Sequence, residues 1–210
     1  MPDGPYITAS CIISNHVVYK DELPVFEKKG VHLAGFLLSV YDHFQLKYPK
    51  FYKMDNLSKL GLLAAEVLLK HSFVKDSYKP GDTGVVLANA SSSLDTDIKY
   101  FETVKSIASP ALFVYTLPNI MIGEICIRHN FKGENAFFIF DRFNAPFIQQ
   151  YVNNLFNNNI LQICICGWVE LLEEQYKAAL FLVEKEKDKQ NQRTLFSIEN
   201  VNKIYHLENG

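Results

Sequence analysis

The sequence predicts an α/β chain in three layers, with helices on both faces of a five-stranded, mostly parallel mixed sheet. Three observations carry that prediction. Short apolar runs of strand length alternate with stretches whose apolar residues recur at helical spacing. Polar or Pro/Gly turns separate them, and no repeat or low-complexity linker interrupts the series. Strands that are continuously apolar imply a sheet covered on both faces. At 210 residues the chain suits one domain, spanning 1–210, with enough length to bury a real core.

Tyr6 to Ser14 (YITASCIIS) is rich in β-branched residues and reads as the first strand. From His32 to Leu46, the positions Leu33, Phe36, Leu37, Val40 and Phe44 form one helical stripe. Asp55 supplies an N-cap for a second helix, in which Leu57, Leu60, Leu63, Ala64, Val67 and Leu68 recur at helical spacing. Lys79-Pro80-Gly81-Asp82 marks a turn before the apolar strand Gly84 to Asn89. Ser91-Ser92-Ser93 reads as a polar loop, with Asp95 capping a helix that runs to about Ile107. Ser109-Pro110 breaks the chain, and Pro118 suits the first turn of a helix from Asn119 to His129. Ala136 to Phe140 is a strand and Ala145 to Asn158 a helix. Ile160 to Cys166 is a strand ended by Gly167, and Ala178 to Glu184 is the fifth. The charged run Glu184 to Arg193 reads as a solvated turn, followed by one more short strand over Thr194 to Ile198. The last strands lie too close for a long crossover, so at least one is expected to be antiparallel.

A formal net charge of -2, with no clustered Lys/Arg face, argues against a nucleic-acid partner. The longest apolar runs fall short of the ~20 residues that cross a bilayer. The start, MPDGPYITAS, has no basic-then-apolar leader. The expectation is a cytoplasmic protein without a membrane partner. Cys11, Cys126, Cys164 and Cys166 all sit in apolar segments. Cys164 and Cys166 share one strand face, yet no second ligand pair accompanies them, so all four read as reduced core residues. His16, His32, His43, His71 and His206 show no metal-ligand spacing. Neither a metal nor another cofactor is expected.

Several segments, taken in order, resemble the N-terminal half of β-ketoacyl-acyl-carrier-protein synthases, the condensing enzymes of the thiolase-like fold. Ile7-Thr8 through Ile12-Ile13-Ser14 is similar to the family's opening strand, and Lys53-Met54-Asp55 leading to Ala64-Ala65 resembles the start of an early helix. Ser109-Pro110, Phe113 and Asn119 resemble the Ser-Pro…Asn segment, and Lys132-Gly133-Glu134-Asn135 the Lys-Gly-Pro-Asn turn before the nucleophile strand. Gly167 and Glu170 fall where the family has Gly-Gly…Glu, and Ala178 to Glu186 with Arg193 to Ile198 is similar to the hairpin closing the first half. The resemblance implies half of a thiolase-like fold. It places the nucleophilic cysteine near Arg142, within Phe140-Asp141-Arg142-Phe143-Asn144, where there is no Cys, Ser or Thr. The family's catalytic histidines lie in its second half. The resemblance therefore supplies a fold and withholds the activity.

Cys126 and His129 can meet on one helical face, but a dyad also needs an orienting group and an oxyanion hole. The plain reading is a core cysteine and a histidine at a helix carbonyl end. Arg142 at a helix N-terminus could assist in holding a phosphate or carboxylate, although a surface ion pair with Asp141 or a partner residue is the simpler role. The triple serine reads as turn and capping chemistry.

Two features bear on mechanism. In the helix from Ala145, residues Phe147, Ile148, Tyr151, Val152, Leu155 and Phe156 form one apolar stripe, with Gln149, Gln150, Asn153, Asn154, Asn157 and Asn158 opposite. No second sheet is then expected on that side. If the sheet follows the family's order, Ala136, Phe137, Phe138, Ile139 and Phe140 form an edge strand, which invites pairing with another chain. The resemblance implies a dimer across it, supported by the helix near Pro118, and Lys in place of Phe138 or Ile139 is expected to give monomers or insoluble protein. The favoured function is a non-catalytic accessory subunit in fatty-acid or polyketide biosynthesis. It would act as a homodimer, or as a heterodimer with a full-length ketosynthase, and with acyl carrier protein. Chain-length factors offer an analogy, although they keep both halves. A thioester-handling acyltransferase or hydrolase with a rebuilt site, and an acyl- or CoA-binding module, are the competing classes.

Overall fold

One mixed sheet of eight strands carries helices on both faces, in a computed structural model that describes residues 4–74, 77–185 and 194–207. In chain order the elements are β1 (Tyr6–Ser14), β2 (Val17–Lys20), β3 (Leu23–Glu27), α1 (Leu33–His43), α2 (Asn56–Leu69), β4 (Thr83–Asn89), α3 (Leu94–Val104), α4 (Pro110–Val114), α5 (Asn119–His129), β5 (Asn135–Ile139), α6 (Ala145–Asn157), β6 (Ile163–Leu172), β7 (Gln175–Glu184), β8 (Thr194–Leu195) and α7 (Ile198–Tyr205). The strand order is β3-β2-β1-β7-β6-β4-β5, with β8 beside the start of β1. The three-layer reading holds, and the sheet is larger than the five strands expected.

The sheet is also not mostly parallel. Only β4 runs parallel to its neighbours β5 and β6; the other five pairings are antiparallel. Continuous apolarity marks burial on both faces, which these strands have, but it does not specify strand direction. Glu173 and Glu174 make a two-residue turn, so β6 and β7 form a hairpin with register Leu172↔Gln175. Gly167 does not end β6. It lies in mid-strand at φ 147, and a Cβ there would come within 2.0 Å of the Ala179 carbonyl oxygen. Close approach of two backbones is what requires glycine here.

Further boundaries differ from expectation. The β2–β3 ribbon was not anticipated. Its turns use Asn15-His16 and Asp21-Glu22, all at positive φ, so no glycine announces them. Asp95 lies in the first turn of α3, and Ser93 stands at the N-cap. Helix α4 was likewise not anticipated. Pro118 is the N-cap of α5 rather than a residue of its first turn. Thr194 and Leu195 are the whole of the last strand, after which Ser197 accepts from the Asn200 amide and caps α7. The expected charged turn lies, from 186 to 193, outside the described residues.

The side-chain period of two sorts each strand onto both cores. Cys11, Ile13, Val85, Leu87, Ile163, Ile165, Leu180 and Leu182 face α1, α2 and α5. Ile12, Val86, Cys164, Cys166, Trp168, Phe181 and Val183 face α6 and α7. Helix α2 starts where the Asp55 carboxylate accepts from the Ser58 amide, and it is buried on nearly every side. A Cβ at Gly61 would overlap Met121, which is how closely α2 and α5 pack. Each large aliphatic side chain buried this way contributes about 1.5–3 kcal/mol before the entropy of ordering it is subtracted.

Candidate functional site

The turn between β5 and α6 is held from several directions. The Phe140 amide donates to the Asn89 carbonyl (3.0 Å) at the shared end of the parallel pair. Asn144 caps α6, its side-chain oxygen accepting from the Phe147 amide (3.1 Å). Phe143 folds back onto the sheet, stacked on Tyr205 at 4.1 Å between centroids and edge-on to Trp168. Asp141 and Arg142 are left exposed. Among the described residues Arg142 has no ion pair, so the expected pairing with Asp141 is not formed. The turn carries no Cys, Ser or Thr.

The four cysteines are free. Burial pushes the Cys11 thiol up to about 12 and that of Cys126 up to about 11, and it raises Cys164 and Cys166 as well. A thiol so far above neutrality is a small core group rather than a nucleophile. Cys126 and His129 do not form a dyad: the His129 ring points its Nε2 toward Glu66 Oε1 at 3.4 Å. Among the described residues no three His, Cys, Asp or Glu side chains gather as metal ligands.

The motif residues behind the resemblance turn out to be braces. Glu170 Oε2 accepts from the amides of Ala90 (2.5 Å) and Ser91 (3.2 Å), fixing the loop after β4. Ser93 Oγ donates to the Thr116 carbonyl (2.6 Å), and the amide of Ser92 donates to Asn89 Oδ1 (2.9 Å). The triple serine is thus turn chemistry, as expected. Asp55 holds α2 with one oxygen and accepts from Thr96 Oγ1 (2.7 Å) with the other. Ser109 caps α4. The Lys132-Gly133-Glu134 turn ties into the start of β4, with Lys132 donating to Pro80, Gly133 to Thr83, and Glu134 accepting from Val85.

Strand β5 is the end strand of the sheet, as the resemblance required. The Glu134 carbonyl and the Phe140 amide both bond β4, and Phe137 stands opposite Leu87. In a parallel ladder alternate residues turn both backbone groups to one neighbour. Those of Asn135, Phe137 and Ile139 therefore face outward. Phe140, counted in the expected edge, lies one residue beyond the strand.

A cleft of about 500 Å³, which no sequence motif announces, lies between the C-terminal ends of α2 and α5, lined by Phe44, Leu46, Glu66, Leu69, Lys70, Phe73, Arg128 and His129. Its residues come from three separated segments, and only folding brings Arg128 Nε to Glu66 Oε1 at 2.7 Å. Burial alone would raise the Glu66 carboxyl, but the bonds from His129 and Arg128 outweigh it and hold the group below its usual range. The cleft lies away from the β5–α6 turn.

No family model matches the sequence, and no curated protein does either. The fold itself is that of the thiolase-like condensing enzymes. The chain superposes on "The ishigamide ketosynthase/chain length factor" with a TM-score of 0.63 and 17% identity, covering 91% of this chain and 64% of that one. A type II PKS acyl-carrier protein in complex with its ketosynthase bound to the hexaketide gives a TM-score of 0.56 at 15% identity, over 88% and 64%. The chain thus spans less than two thirds of these two solved chains. A ketosynthase in complex with its chain length factor from Xenorhabdus doucetiae gives a TM-score of 0.59 at 11% identity, covering 99% of this chain and 92% of that one. No helix among the described residues is long and apolar enough to cross a membrane.

Proposed function

We propose that this chain is a non-catalytic ketosynthase-like subunit of polyketide or fatty-acid assembly that acts by pairing with a ketosynthase and, through it, with an acyl carrier protein. The observation that carries the reading is the β5–α6 turn. Where a condensing enzyme needs a cysteine at a helix N-terminus, this chain presents exposed Asp141 and Arg142 and an inward Phe143. A fold kept without its nucleophile is consistent with a partner that supplies the chemistry. The near-equal length of one matched chain, in a complex of a ketosynthase with its chain length factor, supports a small member of such a pair.

The pairing edge is β5. The opposite edge, β3, contains Pro24 and its ladder with β2 shifts register at Val18/Tyr19, both of which blunt an edge. Strand β5 has neither defect, and beside it stand the exposed side chains of Ile127 and Ile139. Phe138 is not a clean probe of this edge. It packs against Phe147 (4.8 Å) and Tyr151 (5.0 Å) under α6, so a charge there would damage the core. Ile139, half exposed, is the position to change.

The test is affinity capture of the tagged chain from its native lysate, read by mass spectrometry, with Ile139→Lys alongside. A ketosynthase recovered near stoichiometry by the native chain and lost with Ile139→Lys is the expected result. Capture of the bait alone, together with turnover of acyl thioesters by the purified chain, would sink the reading.

A further inference from the structure

The cleft between α2 and α5 combines an apolar wall with two cations, Lys70 and Arg128, and a single carboxylate, Glu66. Phe44, Leu46 and Phe73 are only half buried along it, and Leu69 closes its floor. Its polar side carries Lys70, Arg128 and His129 against one carboxylate, Glu66. That carboxylate is already engaged by Arg128 Nε at 2.7 Å, with His129 Nε2 at 3.4 Å from the same oxygen. Arg128 is further fixed by Nη1 on the Lys47 carbonyl (3.4 Å) and by its guanidinium over Tyr48 (4.9 Å). Lys70 lies over the Phe44 ring at 5.2 Å, and among the described residues it pairs with no carboxylate. His129 Nε2 is buried, with Glu66 Oε1 at 3.4 Å as its polar neighbour. His129 and Phe73 also line an annex of about 70 Å³ with Tyr78 and Phe131.

Cations at helix carbonyl ends complement the helix dipoles, and that accounts for some of this charge. It does not account for an apolar wall left open beside them. A cleft near 500 Å³ whose lining is half apolar and half charged, with the two kinds of residue on separate walls, suits a small amphiphilic molecule with one charged head. We infer that this cleft binds a small apolar carboxylate, its head at Lys70 and Arg128 and its body against Phe44, Leu46, Leu69 and Phe73. A primary amine of the same length meets two cations there, and an alcohol forgoes the charge-assisted bonds. The inference does not rest on the pairing of β5, which lies elsewhere on the molecule.

The experiment is an amide chemical-shift titration of the whole protein with hexanoate, hexan-1-ol and hexylamine. Hexanoate is expected to give saturable shifts confined to 44–47, 66–73 and 128–131, with hexylamine at least tenfold weaker. Lys70 is exposed, so Lys70→Glu should fold normally and weaken hexanoate by about tenfold or more. No saturable shift with hexanoate, equal binding of hexylamine, or an unchanged affinity in Lys70→Glu would each overturn the assignment.

Discussion

Helices α3 and α6 are both amphipathic and similar in length, yet they point their apolar stripes in opposite directions. In α6 the side chains of Ile148, Val152, Leu155 and Phe156 pack against the sheet, while Gln150, Asn154, Asn157 and Asn158 face out. In α3 it is Asp95 and Thr96 that are buried, and Leu94, Ile98, Phe101 and Val104 are 43–64% exposed. The reason lies at the N-terminal turn of α3. Asp95 accepts from the Glu173 amide (3.1 Å), Thr96 donates to Asp55, and Ser93 donates to the Thr116 carbonyl. Three buried, satisfied polar groups turn that face inward, and the apolar stripe is left outside. Phe113, Val114 and Leu117 extend it. An amphipathic pattern shows that a helix has two faces; it does not say which face the rest of the chain will cover. An exposed apolar area of this kind is where a partner is expected to sit.

The contrast can be broken most severely on the α6 side. Val152 is fully buried against the sheet, so Val152→Asp places a carboxylate where nothing can solvate or pair with it. A loss of about 4 kcal/mol or more is expected, enough to abolish a cooperative thermal transition by circular dichroism. The corresponding break on the α3 side is Asp95→Ala. It removes the acceptor of the Glu173 amide in the β6–β7 turn and frees Lys99, at a cost of about 1 kcal/mol read from the urea midpoint. If that variant is as stable as the native chain, the polar anchor is not what orients α3.

The same contrast shows what could be read from the sequence. Helices α2, α5 and α6, strands β1, β4 and β5, and the end position of β5 were legible because periodicity and collinear motifs both pointed to them. The β2–β3 ribbon was not, since Asn15-His16 and Asp21-Glu22 reach positive φ without glycine. The antiparallel course of a last strand was legible from the short connection between β6 and β7, but the share of antiparallel ladders in the whole sheet was not, because burial on both faces looks the same in either orientation. Helix α7 is only eight residues long, and Thr194 to Ile198 lies on the boundary between it and β8. The lack of Cys, Ser or Thr around Arg142 was visible in the sequence. The cleft at Glu66, Lys70 and Arg128 was not, because contact across 62 positions leaves no local trace.

A smaller effect concerns Glu66, which ties α2 to α5. Its carboxyl titrates below the ordinary value of 4.5 in the folded chain, because the bonds from His129 and Arg128 outweigh its burial. A depressed carboxyl stabilises the fold above the unfolded-state value and loses that contribution as pH falls through the folded one. Between pH 6 and pH 3 the native chain should therefore lose more stability than Glu66→Gln, which has no such group to protonate. Parallel urea titrations of the two proteins measure the difference; equal losses would mean that the Arg128 bond contributes nothing to the α2–α5 contact.

The smallest effect on stability is expected from the most conspicuous residues. Ile98 and Phe101 are 48% and 64% exposed, so replacing both with Ser removes apolar area of which folding leaves about half or more in water. The change also forfeits Lys105 over the Phe101 ring at 5.9 Å, and exposed cation–π pairs contribute about 0.5–1 kcal/mol. The urea midpoint of the double variant should accordingly stay within about 0.5–1 kcal/mol of the native chain. Its sedimentation at rising concentration should instead show less self-association, or less binding to a captured ketosynthase. A loss of several kcal/mol would mean that the stripe is covered within the chain itself, and the opposition between α3 and α6 would disappear. Unchanged stability with unchanged association would leave α3 outward-facing and move the partner's footprint onto β5 and α5 alone.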